Sequence, residues 1–173
     1  MTGLPESTCE SDTRSAKIVA DLGVDTARIH PTLVFKNTEL YRMMEKGEYI
    51  PLTLQESLER TADMLAILEC KGVKVIRLGL HVPVELRKNI VAGPFHPSFG
   101  DMARAYLMRK VVLFFDIKNV QFPGRYQSWF YSHGNKELFL KNGVSLSPAE
   151  DFSFDGMDYE GILCKYVKER FSW

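Results

Sequence analysis

Residue types that carry chemistry are sparse in this chain. Three cysteines, Cys9, Cys70 and Cys164, stand far apart. They match no compact metal-ligand spacing, and a [4Fe–4S] cluster needs closely spaced thiolates. They read as three separate free thiols, so neither a metal ligand set nor a catalytic residue is assigned. An odd count also argues against a disulfide framework and for a reducing cytoplasm. The four histidines, His30, His81, His96 and His133, are scattered. His30 stands beside Pro31 and Thr32, where an imidazole serves either as an acid or base near neutral pH or as a partly buried structural ring. His96 lies in a turn between Phe95 and Pro97, with loop packing as its plainer role, and His81 and His133 have no spacing that suggests chemistry. Arg77 interrupts Val75-Ile76-Arg77-Leu78, and a charge in an apolar strand calls for a carboxylate or phosphate partner, or a helix acid. Arg125, Tyr126, Trp129 and Tyr131 combine positive charge with stacking surfaces. That mixture suits single-stranded RNA, although a helix burying its aromatics has the same composition.

The 173 residues fit one domain, or one domain with a small appendage, and are enough to bury a core. Hydrophobic residues at 45% and charged residues at 25% are ordinary for a soluble globular protein. Twenty-two basic residues balance 22 acidic ones, so no global field holds a nucleic acid or an anionic membrane, though a local basic patch is compatible with this balance. No apolar run approaches the roughly 20 residues that cross a bilayer. The segment Met1 to Pro5 lacks a basic region followed by an apolar one, and no secretory leader is expected.

The elements that must position these residues begin with a loop, Gly3-Leu4-Pro5-Glu6, followed by a helix over about Glu10 to Leu22 with Ser7 or Thr8 as N-cap and Gly23 as its stop. Ala27 to Phe35 reads as a strand running into a loop at Pro31. A short helix over Thr38 to Met44 precedes the clearest one. Thr53 and Glu56 form a capping box there, Leu54, Leu58, Ala62, Leu65 and Leu68 recur at helical spacing, and Gly72 ends the run. Val73 to Leu80 then reads as a strand, and helices alternating with strands imply a parallel α/β sheet. Two strands are too few for an independent sheet of this class, so the chain reads as beginning inside a fold. A helix over about Phe99 to Met108, a strand over Val111 to Ile117, a loop at Pro123-Gly124 and a helix over Tyr126 to Asn142 follow. A short strand at Phe152 to Phe154 and a helix or strand pair over Tyr159 to Phe171 complete the chain.

Gly3-Leu4-Pro5 ahead of an acidic helix, then Arg28-Ile29-His30-Pro31-Thr32-Leu33-Val34, then Thr38-Glu39-Leu40-Tyr41, resembles the late part of the radical S-adenosylmethionine (SAM) barrel. The nearest branch is that of the elongator catalytic subunit, with oxygen-independent coproporphyrinogen III oxidase proteins more distant. Thr53 to Lys71 is similar to that branch's long helix and Lys74 to Leu80 to its next strand. Val91 to Gly100, with Gly93-Pro94-Phe95-His96-Pro97, is similar to its Gly-Pro-Tyr-His-Pro-Ala-Phe stretch. The resemblance covers residues 1–105 well and the remainder loosely, and rests on the order of the motifs. Glu6 and Asn37 stand where the family has glycine, and the Cys-x₃-Cys-x₂-Cys motif that binds the cluster is absent.

The resemblance implies an α/β fold in which residues 1–109 are the last β/α units of a partial barrel with a turn-rich segment, and residues 110–173 a small α+β subdomain. It implies SAM and a [4Fe–4S] cluster in a longer parent acting on tRNA, with this chain inactive alone as a radical generator and binding neither tightly. Gly3, Leu4, Pro5, His30, Thr32 and Arg77 are the implied SAM-pocket residues, the loop lying at the C-terminal end of a barrel strand, where such sites gather. Arg125, Tyr126 and Trp129 are the RNA candidates. The expected partners are the missing N-terminal half of the barrel, RNA, and a second copy through an exposed barrel edge; no membrane is expected. The competing class is a non-catalytic module that binds RNA or protein.

Overall fold

The structure, a computed structural model, describes residues 1–172. Helix α1 (Cys9–Asp21) starts at a reciprocal cap between Thr8 and Ser11. Strand β1 (Thr26–Ile29) and the short β2 (Val34–Phe35) flank the kink at Pro31 where one strand was expected. Helix α2 (Glu39–Glu45) is capped by Thr38. Helix α3 (Leu54–Cys70) carries the expected Thr53–Glu56 box, and β3 (Lys74–Leu78) follows. The short α4 (Val84–Arg87) and β4 (Ile90–Ala92) lead into α5 (Phe99–Phe114). Beyond it come β5 (Asn119–Pro123), a 3₁₀ turn over Gly124–Tyr126, α6 (Gln127–Tyr131), α7 (Asn135–Lys141), β6 (Ser145–Ala149), β7 (Ser153–Phe154) and α8 (Tyr159–Phe171).

These elements make a mixed α/β protein of eight helices and three small sheets among the described residues. β1 and β3 pair in parallel, as the alternation of helix and strand implies, with Thr26 opposite Lys74 and Ile29 opposite Leu78. β2 pairs antiparallel with β4. The third sheet runs β6-β5-β7, parallel on one side of β5 and antiparallel on the other. A bulge between Ala27 and Arg28 sets Arg28 beside Arg77.

Helix α3 is the centre of the molecule. Every residue from Thr61 to Leu68 is buried, because α1, α5, α8 and the β1–β3 pair all pack on it. One apolar stripe was legible in the sequence, but full enclosure also buries Asp63, which is satisfied by Lys110 Nζ at 2.5 Å and by the Tyr166 hydroxyl at 3.3 Å. Leu65, Leu107, Val111, Phe122, Phe139, Leu163 and Tyr166 belong to one continuous hydrophobic cluster.

The second half departs from the sequence expectation in two places. Val111 to Ile117, expected as a strand, continues α5 to Phe114. Its β-branched and aromatic residues favour strands, but Val111 extends the helical stripe of Ala103, Leu107 and Met108, all buried, and that packing outweighs the local preference. The strand is displaced to β5. The helix expected over Tyr126 to Asn142 breaks at His133 and Gly134, both at positive φ (57° and 78°), which divides it into α6 and α7. β6 had no expectation. It contains Pro148 and lies at a sheet edge, where a missing N–H is harmless.

Candidate functional site

Three chain segments end side by side on one edge of the molecule. Thr2 forms a parallel bridge with Pro31. Its N–H donates to His30 O at 3.0 Å, and the Thr32 N–H donates back to Thr2 O at 3.0 Å. The next parallel neighbour of β1 is β3, whose last contact is the Gly79 N–H donating to Ile29 O at 3.0 Å. The His30 ring reaches across the same junction, its Nδ1–H donating to Gly79 O at 2.7 Å. That bond leaves Nε2 of the neutral ring as a free lone pair. The ends of three parallel segments thus present Thr2-Gly3, His30 to Thr32 and Leu78-Gly79 together.

This edge is held firmly from behind. Thr32, 5% exposed, donates its hydroxyl to Thr2 O at 2.8 Å, and buried Thr2 meets Ser57 of α3 at 3.3 Å. The Tyr49 hydroxyl donates to Gly3 O at 2.6 Å. Gly3 has φ +75°, and a Cβ there would lie 2.8 Å from Leu52 Cδ1, so only glycine fits without displacing Leu52. Gly93 answers it from the β4 side, with φ +101° and a Cβ position 2.7 Å from Thr32 O. Arg60 of α3 donates to Ser7 O at 3.2 Å and to Asp12 at 3.3 Å, tying the loop after Gly3 to the central helix. Burial lifts the Asp12 carboxyl above its ordinary value, and Arg60 only partly offsets this.

The residues singled out in the sequence divide into groups. Gly3, Leu4, Pro5, His30, Thr32 and Arg77 all fall on or next to this edge. Gly3 is buried, Leu4 exposed and Pro5 half-buried. The Thr32 hydroxyl is committed to the backbone, which makes it a positioning group. Arg77 corrects one expectation: it is exposed, not a buried charge in need of an acid. Along β3 only Val75 is buried, and Ile76 and Arg77 are both exposed.

Arg125 is exposed over the Tyr126 ring at 4.8 Å. Tyr126 and Trp129, both half-buried, lie 4.4 Å apart in a cluster with Phe152 and Tyr159. The Arg104 guanidinium covers Trp129 at 5.1 Å and pairs with Glu69 at 2.6 Å. Much of this stacking surface is therefore spent within the protein. Burial first, then Glu69, pushes the Tyr159 hydroxyl well above its ordinary value.

The sequence reading passed over a neighbouring cleft of ≈ 260 Å³ lined by Arg77, His81, Arg87 and His96. The available signal was weak: His81, Arg87 and Lys88 in a turn-rich segment, with Glu85 among them.

The thiols do not fit an iron–sulfur cluster. Cys9 is exposed near α1's start, whereas Cys164 Sγ contacts Cys70 O at 3.0 Å between α8 and α3. Burial, with Cys164 alongside, pushes the Cys70 thiol up to about 12, which disfavours the thiolate that binds iron. No three His, Cys, Asp or Glu side chains converge as a ligand set among the described residues. No helix among them is long and apolar enough to cross a membrane.

Residues 24–109, which run from β1 through the turn-rich segment into α5, match the family described as Radical_SAM C-terminal domain. Over those residues the chain carries that domain. It is similar to tRNA uridine(34) acetyltransferase of Methanocaldococcus infernus, at 30% identity over 113 residues, covering 64% of this chain and 20% of that protein. It is also similar to tRNA uridine(34) acetyltransferase of Methanocaldococcus jannaschii, at 31% identity over 110 residues, covering 62% and 20%. The chain thus spans about a fifth of the length of the curated relatives it matches.

Proposed function

We propose that this chain supplies the C-terminal part of a cytoplasmic radical SAM enzyme that modifies tRNA. Its first half, about residues 1–109, forms the last units of a partial barrel, and residues 110–173 form a small α+β subdomain; the boundary between them falls within α5. The reading is carried by the alignment of Thr2-Gly3, His30 and Gly79 at the ends of parallel segments, the side on which barrel enzymes gather their sites. The preceding strands of the barrel would pair on the far side of Thr2, and they or a second copy are the protein partners this edge invites.

In such a parent, SAM and the [4Fe–4S] cluster supply a carbon-centred radical. The cluster ligands must come from outside this chain, so the chain alone is inactive in that chemistry. Its own contribution is a wall: Leu4 and Pro5 line it, His30 offers a lone pair at Nε2, and Arg77 offers an unspent guanidinium suited to a carboxylate. Thr32, Tyr49 and Arg60 hold that wall in place.

The test joins this chain to a segment bearing Cys-x₃-Cys-x₂-Cys and reconstitutes the cluster anaerobically. SAM affinity and 5′-deoxyadenosine release are then measured with tRNA. Arg77→Ala and His30→Ala should each weaken SAM binding; unchanged affinity in both would remove this edge from the SAM pocket. Retained tRNA binding without any 5′-deoxyadenosine would favour the non-catalytic binding module.

A further inference from the structure

The cleft beside the strand edge shares Arg77 with it and otherwise has a composition that the strand-edge reading leaves unused. Its walls come from the end of β3, the α4 turn and the approach to α5, and they carry Arg77, His81, Arg87 and His96. No Asp or Glu lines it among the described residues. In a chain with formal net charge +0, that is a local concentration of one sign, and a concave site focuses such a field.

The donors are partly arranged already. Arg87 spends Nε on Val82 O at 3.1 Å and lies 5.7 Å from the Phe95 ring centroid. Its terminal nitrogens keep the planar fork that matches phosphate oxygens. Arg77 and His81 have no ion-pair or hydrogen-bond partner among the described residues. His96 Nδ1 accepts the Ser98 N–H at 3.0 Å, so the neutral ring carries its proton on Nε2, a donor for the cleft it lines. The 16-residue helix α5 begins at this wall with no side-chain cap on its first turn, adding the positive end of a helix dipole. The acid of that turn, Asp101, is occupied by Ser128 Oγ at 2.7 Å and His133 Nε2 at 3.0 Å.

The geometry points to this cleft as a phosphate-binding site, held by Arg87 with His81, His96 and Arg77. The phosphate is a diester of an RNA backbone or the terminal group of a small phosphorylated ligand; the RNA source rests on the tRNA reading above, whereas the phosphate chemistry does not.

The experiment titrates this chain with a fluorescein-labelled tRNA transcript across a salt series, and separately with inorganic phosphate while following the His81 and His96 ring signals by NMR. Arg87→Gln should weaken tRNA binding about tenfold and reduce the salt slope by about 1, as the loss of one phosphate contact does. His81→Gln, at an exposed position, should act in the same direction with the melting temperature unchanged. Arg14→Gln, exposed on α1 and outside the cleft, should leave the slope as it is. If tRNA binds with the same affinity and slope in Arg87→Gln and His81→Gln, the cleft assignment is overturned while the tRNA reading survives. If tRNA does not bind but phosphate shifts the wild-type rings and not those of Arg87→Gln, the cleft stands with a small ligand and the tRNA reading loses this support. Failure of both titrations overturns the cleft assignment.

Discussion

Replacing three glycines by alanine should destabilise the protein in a fixed order, because the added methyl meets different surroundings at each. Gly72 has φ +74° and open space around its Cβ position, so Gly72→Ala bears only the left-handed backbone cost of about 1 kcal/mol. Gly3→Ala carries the same cost, and its Cβ falls 2.8 Å from Leu52 Cδ1 and 2.9 Å from Leu52 Cγ. A side chain can rotate away for about 1 kcal/mol more, giving roughly 2 kcal/mol in all. At Gly93 the obstacle is backbone: Thr32 O at 2.7 Å and Leu33 Cα at 3.1 Å. No rotamer relieves that contact, and forced backbone shifts bring the total to about 3–4 kcal/mol. For a chain of this size each kcal/mol lowers Tm by about 2–4 °C, so the Gly93→Ala melt should fall by roughly 10 °C and that of Gly72→Ala by about 3 °C. Calorimetry and urea titration at constant m-value read the series directly. Equal shifts for Gly72→Ala and Gly93→Ala would refute the close packing of the 91–94 turn against the strand edge.

Two further outcomes follow from the charges. Lys110→Met strands the Asp63 carboxylate, whose side chain is 2% exposed, and should cost about 3 kcal/mol by urea unfolding, with Asp63→Leu in the same chain recovering most of it. The exposed Asp155 carboxylate accepts the Lys118 N–H at 2.9 Å and the Asn119 N–H at 2.8 Å, with the Lys118 amide foremost in holding its pKa below the usual 3.8. A folded-state pKa below the unfolded one stabilises above the unfolded value, and the gain is lost as pH falls through the folded value. Asp155→Asn should therefore be less stable than wild type at pH 7, with the gap closing between about pH 5 and pH 2; a gap that persists in acid would remove these hydrogen bonds as its cause.

The first half of the fold was largely legible because its signals are local and mutually consistent. Thr53 and Glu56 mark a helix start, five apolar residues at helical spacing mark its buried face, and Gly72 marks its end. The second half was less so, since Val111 to Phe114 satisfy a strand by residue type and a helix by packing, and only the neighbours of α5 decide between them. The break at His133-Gly134 lies within otherwise helical composition, and Pro148 hid an edge strand. At the site, the motif order brought out Gly3, His30, Thr32 and Arg77, and the structure gathers them on one edge. It could not foretell that the Thr32 hydroxyl is committed to Thr2, or that Arg77 is exposed. His81 and Arg87 carried no periodic signal because a cleft is built from segments that meet only after folding.

The enclosure of α3 also bears on motion. Amide protons along Thr61 to Leu68 are covered on every side, so their exchange with solvent requires opening on the scale of the whole domain rather than a local fluctuation. Ser57, Arg60 and the cap at Thr53 all belong to this helix or its start, and the first two reach the Thr2 to Ser7 segment directly. The strand edge is therefore anchored to the slowest-opening part of the molecule, while the α4 turn that carries Arg87 hangs outside it. Within one short chain, the parallel edge is tied to the enclosed helix through Ser57 and Arg60, and the exposed turn that carries Arg87 lies outside that anchor.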